Sequence, residues 1–254
     1  MESVFLLKLD MTKYILSLDT ATPVQSLAIL NGSEVLFEAF TKASTKDGPG
    51  LLSLVDQALK HCCLKVSDID RFVVSRGPGA FTGLRVSMAM LKSLALTLDR
   101  PLYAGSSLDA LACSCLPSAG VVAACIDARR GEIYVAFYEM ADGAPKALSE
   151  ELLMRPEDLA AYVARVYPGQ KILCSGTAFP GYSKKLAQMT DQLMFRPDSP
   201  SAAMLARRVM EKFGDDAPDI PLEALEPKYI RLEDFELPKP FDFSQPGQFR
   251  HDAQ

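Results

Sequence analysis

The chain has 254 residues, 48% of them apolar, which suits one large or two small globular domains and not a disordered chain. Its formal charge of −5, from 27 basic and 32 acidic residues, argues against a free-standing nucleic-acid binder, because such proteins carry a basic surplus that releases counterions. Two histidines without H-E-x-x-H or H-x-x-x-H spacing leave almost no room for a histidine-held metal or most Ser-His and Cys-His nucleophiles, and six cysteines without a C-x-x-C pair read as reduced thiols, mostly buried.

The opening MESVFLLKLDMTK lacks the basic start and small-residue cleavage site of a signal peptide, and Met11 is a second candidate start. No apolar run reaches the roughly 18–20 residues that span a bilayer, so a cytoplasmic protein without a membrane partner is expected. YILSLDT (14–20), QSLAIL (25–30) and EVLFEAF (34–40) predict three antiparallel strands, the last two joined by the hairpin signal Asn31-Gly32. LLSLVDQALKHC (51–62) places Leu51, Leu54, Val55, Ala58, Leu59 and Cys62 on one helical face. A strand over 71–75, a glycine loop, a helix over about 82–98, a strand over 101–105 and a helix capped by Ser106 or Ser107 follow. The order is βββαβαβα.

ILSLDTATPVQSLAIL (15–30) aligns without gaps on AACIDARRGEIYVAFY (123–138), which sets Asp19 on Asp127. After the second copy come helices predicted over 156–166, 180–189 and about 201–213, with a strand over 171–176 and the segment QLMF between them. The second half therefore repeats the first, and two ribonuclease-H-like units predict an α/β fold of the actin, Hsp70 and sugar-kinase kind. The expected parts are a leader (1–13), an N-terminal lobe (14–116), a C-terminal lobe (117–214) and an acidic, proline-rich tail (215–254). The last helix could pack back on the first lobe. The tail reads as extended, with Pro227-Lys228-Tyr229-Ile230-Arg231 as the segment that could order.

The loop SRGPGAFTG (75–83) is neither standard phosphate motif. It lacks the Lys-Ser/Thr of G-x-x-x-x-G-K-S/T, and its glycines are one residue too far apart for G-x-G-x-x-G. Two readings stay open. Thr82 caps the helix and the free amides there, with Arg85, favour an anion, or the glycines permit a sharp turn that tucks Phe81 into the core. The helix behind the loop is apolar almost all round, with Arg85, Lys92 and Asp99 marking one narrow polar line at intervals of seven. Such a helix is covered on more than one side, by a protein partner or as the central helix of the core. Asp19-Thr20 sits where an acidic residue handles magnesium in nucleotide-binding members of this architecture, but its turn has no glycine. Arg129-Arg130 stands where a hydroxyl would face phosphate, and reads as an exposed turn or a partner contact.

The block SRGPGAFTGLRVSMAMLKSLAL, followed by PLYAGSSLDALA and IDARRGEIYVAFYE, together with ILSLDTAT and EPKYIR, closely resembles the TsaB (YeaZ) family over roughly 14–231. The resemblance implies a cytoplasmic, non-catalytic paralogue of TsaD with the same two-lobed fold. It implies work with TsaD and the ATPase TsaE to place a threonylcarbamoyl group on N6 of adenosine 37 in tRNAs that read codons beginning with A. Contact with tRNA is then only through the complex, and self-pairing uses a similar surface. The residues expected at that surface are Leu51, Leu54, Val55, Ala58, Leu84, Arg85, Met88, Leu91, Lys92 and Ala95. Asp19, Thr20, Gly77, Gly79, Thr82 and Gly83 are candidates for a weak nucleotide or anion contact. No catalytic residue, metal or tightly bound cofactor is expected, and ATP or ADP with magnesium enters at most at a seam with the partner. Family members carry a His-Ser pair before the first helix, where this chain has Thr45-Lys46-Asp47-Gly48-Pro49-Gly50. The competing readings are a free-standing ATPase or small-molecule kinase of the same fold and, less well supported by the histidine count, a peptidase-like hydrolase.

Overall fold

The computed structural model describes residues 13–42, 50–116, 120–141 and 144–231. The first sheet contains β1 (Tyr14–Asp19), β2 (Val24–Asn31), β3 (Glu34–Lys42), β4 (Arg71–Ser75) and β5 (Leu102–Gly105) in the order β3-β2-β1-β4-β5. Strands β1 to β3 are antiparallel, and β4 and β5 run parallel to β1. The second sheet contains β6 (Gly120–Arg129), β7 (Glu132–Ala141), β8 (Ala144–Ala147), β10 (Ile172–Gly176) and β11 (Leu193–Pro197) in the order β11-β10-β6-β7-β8, with β9 (Leu152–Met154) also on β7. The two sheets have the same topology, so the duplication expected from the alignment of Asp19 with Asp127 is present. The short strands β8 and β9 are additions to the elements expected from sequence.

Alternation along β1 sends its side chains to two different cores, as the period of two in a strand requires. Leu16 and Leu18 face α1 (Leu51–His61) and α2 (Phe81–Leu98), whose Leu54, Val55, Ala58, Met88, Leu91 and Ala95 complete that core. Ile15 faces the other side, where α6 (Ala202–Phe213) brings Leu205, Ala206 and Val209. In the second sheet, Ala123, Cys125 and Phe137 face α4 (Pro156–Val166) and α5 (Phe179–Met189). The opposite face of that sheet packs on Leu108 and Leu111 of α3 (Ser107–Cys113). So α3 ends the first unit in sequence but lies on the second sheet, while α6 ends the second unit and lies on the first.

Beyond α6 the described residues, 214–231, stay on the fold. Asp215 pairs with Lys13 at 2.7 Å and also with the buried guanidinium of Arg71. The Tyr103 hydroxyl donates to the Asp216 carbonyl at 2.9 Å. Leu225 is 2% exposed and belongs to the core beneath α2. Residues 215–231 therefore form a strap across the molecule, in place of the extended tail expected there. Apolar burial and carbonyl capping hold a segment whose proline and acid content alone reads as solvated. Residues 1–12 and 232–254 lie outside the described residues, as does Thr45–Pro49 ahead of α1.

Helix α2 carries charge only at Arg85 and Lys92. It is the one described helix that reaches 18 residues with a mean hydropathy of 1.2, enough by length and composition to cross a bilayer. Here it packs instead against β1, β4 and β5 through Leu84, Met88, Leu91 and Ala95.

Candidate functional site

The glycine loop lies directly on the turn after β1. The Ala80 amide donates to the Ala21 carbonyl at 2.6 Å. A Cβ on Gly79 would stand 2.2 Å from the Ala21 oxygen, and one on Gly83 would stand 2.3 Å from the Thr20 oxygen. No real side chain tolerates such distances, so these two glycines exist to let backbone meet backbone. The Gly77-Pro78 peptide is cis.

Beneath this contact is a buried polar network. The Asp19 carboxylate is 1% exposed. It accepts the Ser107 hydroxyl at 2.6 Å and the Ala21 amide at 2.9 Å. Ser107 also meets the Ser75 hydroxyl, which accepts the Gly77 amide at 2.9 Å. Thr20 and Ser87 share a hydrogen bond of 2.7 Å. The strand-end crevice of the first sheet, where the topology would place a ligand, is thus filled by the chain itself. Of the residues expected at a weak nucleotide or anion contact, Asp19, Thr20 and Gly77 are buried, Gly79 and Gly83 pack on backbone, and Thr82 faces solvent. The residues around Asp19 do not fit a nucleotide phosphate with its magnesium.

Two local expectations also change. The N-cap of α2 is Ala80, with no side-chain cap, so Thr82 already lies inside the helix. Phe81 is 41% exposed and does not enter the core. By contrast Ser106 caps α3 as expected, accepting from the Leu108 and Asp109 amides.

Burial raises the Asp19 carboxyl above its ordinary 3.8, partly offset by the hydrogen bonds from Ser107, Ala21 and Ser75. Above pH 3.8 and below the raised value, the folded chain keeps a proton that the unfolded chain has released. Stability contributed by the protonated form is therefore lost as pH rises through the folded pKa. An uncharged amide accepts from the Ala21 amide through its oxygen and donates its NH2 to the Ser107 oxygen once that hydroxyl turns away, so Asp19→Asn should become more stable relative to the parent as pH rises through that window, then level off. Paired urea melts across pH 4–8 measure this, and a flat difference would show that Asp19 titrates normally.

The strand-end crevice of the second sheet is open. Asp127, Thr177 and Asp198, at or just beyond the ends of β6, β10 and β11, face Pro23 and Phe40 of the first lobe across a cleft of about 670 Å³. Arg129 lines it too, but its amide bonds Asp127 at 2.9 Å and its guanidinium lies 3.7 Å from the same carboxylate. Arg129 and Arg130 form an exposed turn, both with positive φ. Among the described residues no three His, Cys, Asp or Glu side chains stand together as a metal site requires.

The expected interface residues are mostly core. Leu54, Val55, Ala58, Leu84, Met88, Leu91 and Ala95 are each at most 6% exposed. Leu51 is half-buried against the same core. The polar line of α2 faces the strap: Lys92 donates to the Leu225 carbonyl at 3.0 Å, and Arg85 to the Tyr229 hydroxyl at 3.1 Å. The second cover of this helix is therefore its own chain.

A third side of α2 remains outside. Thr82, Val86, Ala89, Ser93 and Leu96 are exposed, at helical spacing and without a charge. Val86 is 52% exposed, Leu96 74% and Leu52 of α1 67%. Beside this stripe, between α1 and the second half of α2, runs a groove of about 450 Å³ floored by Val55, Leu59, Leu64 and Leu94. Periodicity found the two helices but assigned their inward residues to the interface. The outward ones were legible only once the strap had claimed one side.

Fold and site together define a two-lobed protein of the actin, Hsp70 and sugar-kinase architecture, with one strand-end crevice filled and an apolar helix face left uncovered by the described residues. The family model described as "TsaD: tRNA N6-adenosine threonylcarbamoyltransferase" matches residues 42–237. The tRNA threonylcarbamoyladenosine biosynthesis protein TsaB of Bacillus subtilis is 33% identical over 129 residues, 51% of this chain and 56% of the relative. That of Escherichia coli is 33% identical over 148 residues, 56% of this chain and 63% of the relative. The matched region thus spans little more than half of these relatives. YeaZ from Pseudomonas aeruginosa superposes with a TM-score of 0.69 at 27% identity, covering 86% of this chain and all of that one. The chain belongs to the TsaD family, on its TsaB/YeaZ branch.

Proposed function

We propose that the chain serves tRNA threonylcarbamoyladenosine biosynthesis as a non-catalytic subunit that holds TsaD, with TsaE joining the complex. The observation that carries this is the uncharged stripe on α2 with its neighbouring groove: it offers a paralogous helix pair an apolar seat of small side chains that allow close approach. The filled first crevice supports the same reading against a free-standing kinase, whose phosphate turn must be open. A net charge of −5 suits a subunit that leaves tRNA to the assembled complex. ATP or ADP with magnesium, if used, enters at the open cleft or at the seam with TsaD.

Size-exclusion chromatography with light scattering, on the chain alone and mixed with TsaD of the same organism, tests this. The expected result is a stable heterodimer that restores tRNA modification when TsaE is added. A folded chain that forms only its own dimer, or stays monomeric beside TsaD at micromolar concentration, refutes the reading.

A further inference from the structure

The strap passes over the start of α2 and there forms a three-residue stack, with Phe81 and Arg85 exposed and Tyr229 half-buried. The Arg85 guanidinium lies 3.8 Å over the Phe81 ring. Phe81 stands 5.2 Å from the Tyr229 ring, whose hydroxyl accepts from Arg85 at 3.1 Å. The stack adjoins Thr82 and Val86, so it borders the uncharged stripe and adds one cation at its edge. Its neighbours in the strap reach the other lobe: Lys228 pairs with Glu151 at 2.8 Å, Ile230 packs on the second sheet's core, and Arg231 pairs with Glu132. Tyr229 meets Phe81 and Arg85 of α2, between residues that also reach the second lobe.

We propose that Tyr229 is an anchoring residue of the TsaD-docking face, and that its position is set by the second lobe through Arg231 and Glu132. This rests on the docking role proposed above. Aromatic and arginine side chains dominate binding hot spots, and a stack ordered before encounter loses little freedom on association. The strap touches both the docking face, through Tyr229, and the Glu132 turn, through Arg231, so a change at the turn reaches the face through Tyr229.

The experiment is Kd for TsaD, by calorimetry, for the parent chain, Tyr229→Ala, Glu132→Gln and the double variant, with thermal melts as the folding control. Tyr229→Ala is expected to weaken binding about thirtyfold. Glu132→Gln, remote from the face, should weaken it about fivefold. In the Tyr229→Ala background Glu132→Gln should change nothing further, which a general loss of stability would not produce. If the parent binds and Tyr229→Ala stays within twofold, or if the two effects simply add, the inference is wrong. If the parent itself does not bind, the docking reading falls and takes this inference with it.

Discussion

Gly79→Ala is expected to unfold the first lobe at temperatures the parent survives. The added methyl would stand 2.2 Å from the Ala21 oxygen and 2.6 Å from its Cβ, so the loop or the β1 turn has to move. Neither moves freely. The turn is fixed by the bonds from the Ala21 amide to Asp19 and from Ala80 to Ala21, and the loop by Gly77 on Ser75. Overpacking commonly costs about 1–3 kcal/mol, and backbone that cannot yield lies at or above the top of that range. At about 2–4 °C per kcal/mol for a chain of this size, the melting temperature should fall by roughly 6–12 °C. Gly181→Ala is the control, since its Cβ meets nothing within 4 Å and it lies inside α5. That change should be neutral or slightly stabilising, because glycine is a poor helix former. Equal melting temperatures for Gly79→Ala and the parent would mean that the loop does not sit on the β1 turn.

The same contact shows what the sequence could and could not reveal. Glycines before an apolar helix suggest either anion binding or close approach, and composition cannot choose, because both need a backbone without side chains. The partner of the loop, Ala21, is about sixty residues away and carries no motif. Regular elements were easier. The i, i+3, i+4 spacing of α1 and the boundaries of α4 follow from local periodicity, and the Asn31-Gly32 hairpin from turn chemistry. Strands β8 and β9 were not seen, because APKA and LLM are too short to alternate. The strap was harder still. What orders it is Lys92, Arg76 and Arg71, far back in the chain, which meet two of its carbonyls and the Asp215 carboxylate, and nothing in its local sequence announces those partners.

Leu91→Glu and Leu96→Glu, five residues apart on one helix, are expected to fail in different ways. Leu91 is fully buried between α2 and the first sheet. A carboxylate there has no partner, and the substitution should cost on the order of 4 kcal/mol or more, a large share of the roughly 5–15 kcal/mol that holds a typical domain folded. Leu96 is 74% exposed, and its replacement should leave the melting temperature within the scatter of surface changes, about 0.5 kcal/mol. Its effect should appear only on mixing with TsaD. A carboxylate placed in this stripe must be desolvated on docking, which Lys92 one turn back offsets only in part because its ammonium already holds the Leu225 carbonyl, and co-elution at micromolar concentration should be lost. The pair therefore separates what holds the lobe together from what the lobe offers to a partner. A Leu96→Glu chain that still co-elutes with TsaD would move the docking surface off α2. A Leu91→Glu chain that melts like the parent would mean that α2 does not pack on the sheet through that face.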